Sequence, residues 1–102
     1  MSWTPLETDA PMWRWQTHLT SAEPDSGPQS LAIVQGATLH LEGEFGTATV
    51  DVLVSNSDAA WHTVGVYQDP DFIQLPAAYL VQVHTVGADA TTALVVTVAG
   101  RR

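Results

Sequence analysis

Residues 36–55 read GATLHLEGEFGTATVDVLVS, and their pattern governs the prediction of the fold. From Ala37 to Phe45, apolar or small residues occupy the odd positions and mostly polar residues occupy the even ones. After Gly46 the alternation resumes, with apolar residues at every second position from Ala48 to Val54. A period of two residues is typical of a β-strand with one buried face. The stretch therefore predicts two strands, and the short glycine-containing connection predicts that they form a β-hairpin.

The same alternation continues toward the C-terminus. Further strands are predicted at residues 61–67, 79–85 and 92–98, with a short edge strand at 72–75. No segment shows a sustained apolar period of 3.6 residues, and β-branched residues are frequent throughout. Six to eight short strands indicate an all-β fold, namely a single antiparallel β-sandwich or jelly roll.

The first 29 residues differ in composition from the rest. They contain four of the six prolines and three of the four tryptophans, and they contain no valine or isoleucine. Proline cannot donate a hydrogen bond to a sheet. We therefore predict an extended N-terminal arm over residues 1–29, with one possible strand at 12–19, and a β-sandwich over residues 30–102.

Charge and cysteine content exclude several classes of function. The 102 residues allow one domain, and eleven acidic residues against three arginines, with no lysine, give a net charge of −8. This balance argues against binding to nucleic acid or to an anionic membrane surface, because both need a basic patch. The chain has no cysteine, which rules out disulfides and thiolate metal sites.

The N-terminal sequence has no pattern of a targeting signal. Residues 2–9 are polar and acidic, and no apolar run approaches the ~18 residues of a membrane span. The sequence therefore predicts a protein that folds in the cytoplasm where it is made.

One group of side chains is a candidate for catalysis or metal binding. His40, Glu42 and Glu44 share one face of a predicted strand, and the two carboxylates lie about 7 Å apart along it. A glycosidase uses paired carboxylates at such a separation, but it also needs a cleft that raises one pKa. The favoured interpretation is a solvated strand face, so we predict no enzyme activity, no catalytic residue, no metal and no cofactor.

The tryptophans are more informative about binding. Trp3, Trp13 and Trp15 lie in the segment with the fewest other core residues, and such rings either pack on their own chain or bury themselves in a partner. The sequence leaves both possibilities open. If a partner covers them, these three rings and Arg14 form the interface with that partner or with other copies of the chain.

A family resemblance rests on the residues from about 31 to 102. Gly36–Gly46 leads into the strand Thr47–Ser55, which is followed by the polar turn and tryptophan of Asn56–Trp61 and later by Leu75–Val81. This pattern resembles the small β-sandwich virion proteins of tailed bacteriophages, which include capsid decoration (cement) proteins and some tail-associated modules.

The resemblance implies a non-enzymatic structural protein of the virion. Such a protein is made in the cytoplasm of the bacterial host and sits on the capsid surface. Its partner is the major capsid protein, and it bridges neighbouring capsomers, commonly as a symmetric homo-oligomer such as a trimer. In this scheme the N-terminal arm reaches over neighbouring subunits.

Two other classes of function remain as alternatives. The first is a carbohydrate- or receptor-binding module of a phage tail or fibre, in which Trp61, Tyr67 and Tyr79 stack on sugar rings and Asp58 or Asp71 accepts hydroxyl hydrogen bonds. The second is a small hydrolase that uses the carboxylates of residues 42 and 44.

Overall fold

The computed structural model describes residues 3–7 and 12–101, and the described residues form nine β-strands and no helix. The strands are β1 (Thr4–Glu7), β2 (Met12–Thr20), β3 (Gln29–Ser30), β4 (Gly36–Glu44), β5 (Thr49–Ser55), β6 (His62–Tyr67), β7 (Asp71–Gln74), β8 (Leu80–Val86) and β9 (Ala93–Arg101). In this described part of the chain there is accordingly no helix that could cross a membrane.

The strands form two antiparallel sheets. The five-stranded sheet has the order β1-β2-β9-β4-β7, and the four-stranded sheet has the order β3-β8-β5-β6. From β2 to β9 this is the strand order of a jelly roll, with β1 added at one edge. The predicted all-β antiparallel sandwich is confirmed, and its topology is that of a jelly roll.

The predicted hairpin across Gly46 is wrong. β4 pairs with β7 and β9, whereas β5 pairs with β6 and β8, so the connection between β4 and β5 passes from one sheet to the other. Both strands bury one complete face against the opposite sheet. β4 and β5 would show the same alternation of apolar and polar residues if they paired with each other in one sheet or lay in opposite sheets. The alternation therefore does not identify the strand with which each one pairs.

The core lies between the two sheets and consists of the inward residues of both. Alternate residues of β2, β4, β5, β8 and β9 are buried over most of each strand. Fully burying a valine or leucine contributes about 1.5–3 kcal/mol, so these inward positions supply most of the free energy that holds the sheets together. The largest completely buried apolar side chains are Leu19, Leu39, Leu41, Val50, Val52, Val81, Val83, Leu94, Val96 and Val98.

The described part of residues 1–29 belongs to the sandwich and is not a separate arm. The strand predicted at 12–19 is present as β2, which pairs with β9 along its whole length and with β1 on its other side. β3 spans the predicted boundary between residues 29 and 30. Residues 1, 2 and 8–11 of the predicted arm lie outside the described residues. The prolines suggested irregular structure, but the apolar face of β2 fits the core.

The segment before β3 also takes part in a sheet. The Thr85 amide donates to the Pro24 carbonyl (2.8 Å), and the Ser26 amide donates to the Val83 carbonyl (3.1 Å). The completely buried Ser26 hydroxyl accepts a further hydrogen bond from the Val83 amide (3.0 Å). Residues 24–26 therefore cover the edge of β8 beyond the two residues of β3.

Candidate binding surfaces

The three N-terminal tryptophans all pack within their own chain. The side chains of Trp3 and Trp15 are 8% and 6% exposed and belong to the core cluster, and Trp13 is half-buried against that cluster. The rings of Trp13 and Trp15 stack with centroids 6.4 Å apart, because residues two apart on a strand point to the same side. The Trp3 indole donates a hydrogen bond to the Gly27 carbonyl (2.9 Å).

This placement corrects the hypothesis that these rings anchor the protein to a partner. Trp3 and Trp15 are already buried, so another subunit has little of their surface left to cover. Arg14 lies between the two stacked rings in sequence, and it points to the opposite, solvent side of β2. Of the four residues predicted to form an interface, Arg14 alone is exposed.

The three rings of the carbohydrate-binding alternative do not form one platform. Trp61 and Tyr67 lie at opposite ends of β6, about 20 Å apart along an extended strand. Tyr67 is half-buried, and its ring packs over Gly65 against the core. Tyr79 is 56% exposed and lies before β8, where its amide donates to the Asn56 side chain (2.9 Å).

The carboxylates proposed to bind sugar hydroxyls have local roles. Asp71 accepts a hydrogen bond from the Phe72 amide (2.7 Å). Asp58 adopts a positive φ of 62° in the turn between β5 and β6, and its amide donates to the Ser55 hydroxyl (3.0 Å). Neither residue joins the three rings at a common surface.

The candidate catalytic group lies on the outer side of β4. Glu42 and Glu44 are exposed, and the His40 ring contacts the Phe72 ring with centroids 5.4 Å apart. Among residues 3–7 and 12–101, no three metal-ligating side chains come together as a possible site.

The outer side of the four-stranded sheet carries an apolar band. Val66 on β6 is 59% exposed, and Leu53 on β5 and Leu80 on β8 are half-buried. On the two strands beside β5, Val66 and Leu80 are diagonal neighbours of Leu53, one on each side. Side chains at diagonal positions are close enough to touch. We call Leu53, Val66 and Leu80 the apolar band.

Polar side chains flank the apolar band. The register sets Asp51 between Val66 and His84, and the His84 Nδ1 lies 2.5 Å from an Asp25 carboxylate oxygen. Val86, at the end of β8, is 50% exposed. This sheet surface is thus apolar along one diagonal and polar beside it.

The outer side of the five-stranded sheet, called here the five-stranded face, has a floor of small residues. Its central strand β9 presents Ala93, Val95, Thr97 and Ala99 outward. One row of paired residues runs across this floor from β2 to β7. In this row the side-chain amide of Gln16 donates a hydrogen bond to the Thr97 hydroxyl (3.2 Å), and the side chain of Phe72 is 65% exposed.

Charge is divided between the two ends of the five-stranded face. Arg14 and Arg101 lie at one end, and Glu42 and Glu44 lie at the other. The register pairs Arg101 with Gly36 and Glu44 with Ala93, so the two ends are about 27 Å apart along β9. A shallow groove of about 290 Å³ opens at the arginine end. It is lined by Met12, Gly36, Thr38, Gln74, Ala99 and Arg101, among others.

The sequence predicted the solvated side of β4 with His40, Glu42 and Glu44, but not the apolar band on the other sheet. The available signal was the set of outward positions, which the same alternation that predicts the core also identifies. Comparison of the chain with protein-family models, with curated proteins and with solved structures finds no match.

Proposed function

We propose that this protein is a non-enzymatic virion structural protein of a tailed bacteriophage, which binds the major capsid protein and bridges neighbouring capsomers. The observation that carries the proposal is the apolar band on the outer side of the four-stranded sheet. This surface replaces the N-terminal tryptophans as the site of attachment.

The band has the features of a surface that another protein covers. Val66 is more than half exposed although it lies on a sheet, and β6 is an edge strand with unpaired backbone groups on one side. Contiguous exposed apolar side chains with a polar surround mark interaction sites in soluble proteins. An edge strand can in addition accept a strand from a partner.

The charge of the chain fits a position on the outside of a particle. Eleven acidic residues against three arginines disfavour adsorption to packaged nucleic acid. Jelly-roll sandwiches occur in viral capsid proteins and in lectins, so the fold agrees with the proposal but does not by itself choose between these classes.

Carbohydrate binding by a phage tail or fibre module stays an alternative hypothesis. Its predicted residues Trp61, Tyr67 and Tyr79 are distributed over separate places, and Tyr67 is already packed against Gly65. The apolar band needs no such platform, and for this reason we rank capsid binding first.

Co-sedimentation with capsids tests the proposal. Shells assembled from the major capsid protein encoded alongside this chain are mixed with the purified protein and pelleted, and the bound fraction is measured. We expect saturable binding by the unaltered protein. Val66→Asp should weaken binding by about tenfold or more, because it places a charge at the most exposed side chain of the apolar band.

Leu6→Asp is the matched control. Leu6 is also an exposed aliphatic residue, 43% accessible, but it lies on β1 at the edge of the other sheet. We expect this variant to bind as the unaltered protein does. Equal loss of binding in both variants would contradict the assignment of the apolar band, and absence of binding by the unaltered protein would contradict the proposed function.

A further inference from the structure

The five-stranded face carries an arrangement of charges that is complementary to itself. Arg101 stands at one end, Glu42 and Glu44 at the other, and small side chains of β9 lie between them. Arg14 lies at the same end as Arg101, beside Glu7 in the register, so the complementary charges are those of Arg101 and the two glutamates. We propose that two copies of this chain pair through their five-stranded faces, with the strands running in opposite directions, to form a two-fold symmetric dimer.

A two-fold axis parallel to the row through Gln16 and Thr97 describes the pairing. This axis lies in the plane of the contact and reverses the strand direction of the second copy. It keeps β9 over β9 and brings the arginine end of each copy over the glutamate end of the other. Arg101 of one copy then faces Ala93 of the second copy. Glu44 of the second copy is paired with that Ala93 on the neighbouring strand, so its carboxylate lies within reach of the Arg101 guanidinium. The contact occurs twice because of the symmetry.

The side chains of the floor permit close contact between the sheets. Two stacked sheets pack about 10 Å apart, which requires side chains that interdigitate. The outward residues of β9 between the charged ends are small or β-branched, and Val95 is the largest aliphatic one among them. The same two-fold axis places Val95 of one copy near the groove between Gly36 and Ala99 of the other.

The available area is sufficient for a specific interface. The nine-residue strands β2, β9 and β4 extend about 30 Å and the four-residue strands β1 and β7 about 13 Å, which at a spacing of about 4.8 Å gives roughly 560 Å² from each copy. The total of about 1,100 Å² passes the ~1,000 Å² expected of a specific protein–protein contact. Within residues 3–7 and 12–101, Arg101, Glu42 and Glu44 form no ion pair in their own chain.

The dimer goes beyond the proposed function and leaves the apolar band uncovered. The band lies on the other sheet, so a dimer would present two such bands on opposite sides. The pairing also differs from the trimer that the family resemblance implies, because a two-fold contact between identical faces closes with two copies.

Light scattering after size-exclusion chromatography tests the pairing without capsids, and therefore independently of the proposed function. We expect the unaltered protein to have twice the mass of the chain, and we expect the dissociation constant to rise with salt because the contacts are between charges. Arg101→Glu and Glu44→Arg should each weaken the dimer by about tenfold or more. The combination of both substitutions should restore it, since the charges are then exchanged.

Asp69→Arg is the control for a change of charge away from the face, because Asp69 lies in the exposed turn between β6 and β7. This variant should keep the dimer, and circular dichroism should show all variants folded. A monomer or trimer at every concentration of the unaltered protein would overturn the proposal. So would a dimer that neither single reversal weakens, or a double variant that stays as weak as the single ones.

Discussion

Asp89 is the residue that joins the two turns at one end of the sandwich. Its carboxylate accepts hydrogen bonds from the hydroxyl and amide of Thr91 (2.7 and 2.9 Å) and from the hydroxyl and amide of Thr47 (both 3.2 Å). Thr91 belongs to the turn before β9, and Thr47 belongs to the connection in which the chain changes sheets. A Cβ at Gly46, where φ is +60°, would lie 2.3 Å from this carboxylate, so the connection needs glycine there.

The stability of the protein should therefore depend on the ionisation of Asp89. The hydrogen bond from the Thr91 hydroxyl, followed by that from its amide, lowers the pKa of Asp89 from 3.8 to about 2. A carboxyl whose pKa is lower in the folded state stabilises fully above its unfolded pKa, and the contribution is lost as the pH falls. We expect the Tm, followed by circular dichroism, to decrease between about pH 4 and pH 2 partly for this reason.

Asp89→Asn should lower the Tm at pH 7 and flatten its decrease between pH 4 and pH 2. The amide cannot carry the negative charge that the threonine donors stabilise. Asp69→Asn, in the exposed turn between β6 and β7, serves as the control and should keep the pH dependence of the unaltered protein. An Asp89→Asn variant with an unchanged acid profile would show that the network does not contribute.

At the scale of elements, β1 and β3 form one closed edge of the sandwich. β1 is the edge strand of one sheet and β3 that of the other, and Trp3 lies between them. The Trp3 indole donates to the Gly27 carbonyl, so residues before β1 hold the segment that leads into β3. An edge closed in this way is less available for pairing with another chain than an open strand is.

Substitution of Trp3 should loosen this edge and leave the sheets intact. We expect Trp3→Ala to reduce the free energy of unfolding by about 3–5 kcal/mol, the range for removal of a buried tryptophan. Trp3→Phe should cost less, because it keeps much of the apolar surface and loses the hydrogen bond to Gly27, which contributes about 1 kcal/mol. Urea denaturation measures both values.

Hydrogen exchange locates the effect. The amides of Ser26 and Thr85, which bond across the segment next to β8, should exchange faster in Trp3→Ala. The amides in the centre of β4, on the far side of the five-stranded sheet, are the internal reference. A variant with the stability of the unaltered protein would show that the indole is not required to close the edge.

At the scale of the whole molecule, the sequence predicted the class of fold and most strands but not their connections. β2, β6 and β8 were located to within one residue, whereas β9 continues three residues beyond its predicted end. Strand order depends on contacts between distant residues, which a local pattern does not specify. The arm was predicted because tryptophans lie in a proline-rich segment, whereas β2 lies inside the five-stranded sheet, between β1 and β9.

Removal of residues 1–29 tests whether that segment is an arm or part of the core. We expect residues 30–102 alone to be unfolded. The deletion removes Trp15 and Leu19 from the core, at about 3–5 and 2–5 kcal/mol. Their sum is comparable to the whole stability of a small domain. Proton NMR provides the measurement, and a well-dispersed spectrum would support the interpretation of the segment as an arm. A chain that begins at residue 12, and thus keeps β2, should fold with reduced stability.

The pairing of β2 with β9 also determines when this protein can fold during its synthesis. β2 is made early, but its neighbour in the centre of the five-stranded sheet is complete only after residue 101 has left the ribosome. Until then the apolar side of β2 has no sheet to join, and the nascent chain must remain soluble while it waits. Folding is consequently expected after translation of the last strand, at the slow rate of a topology dominated by distant contacts.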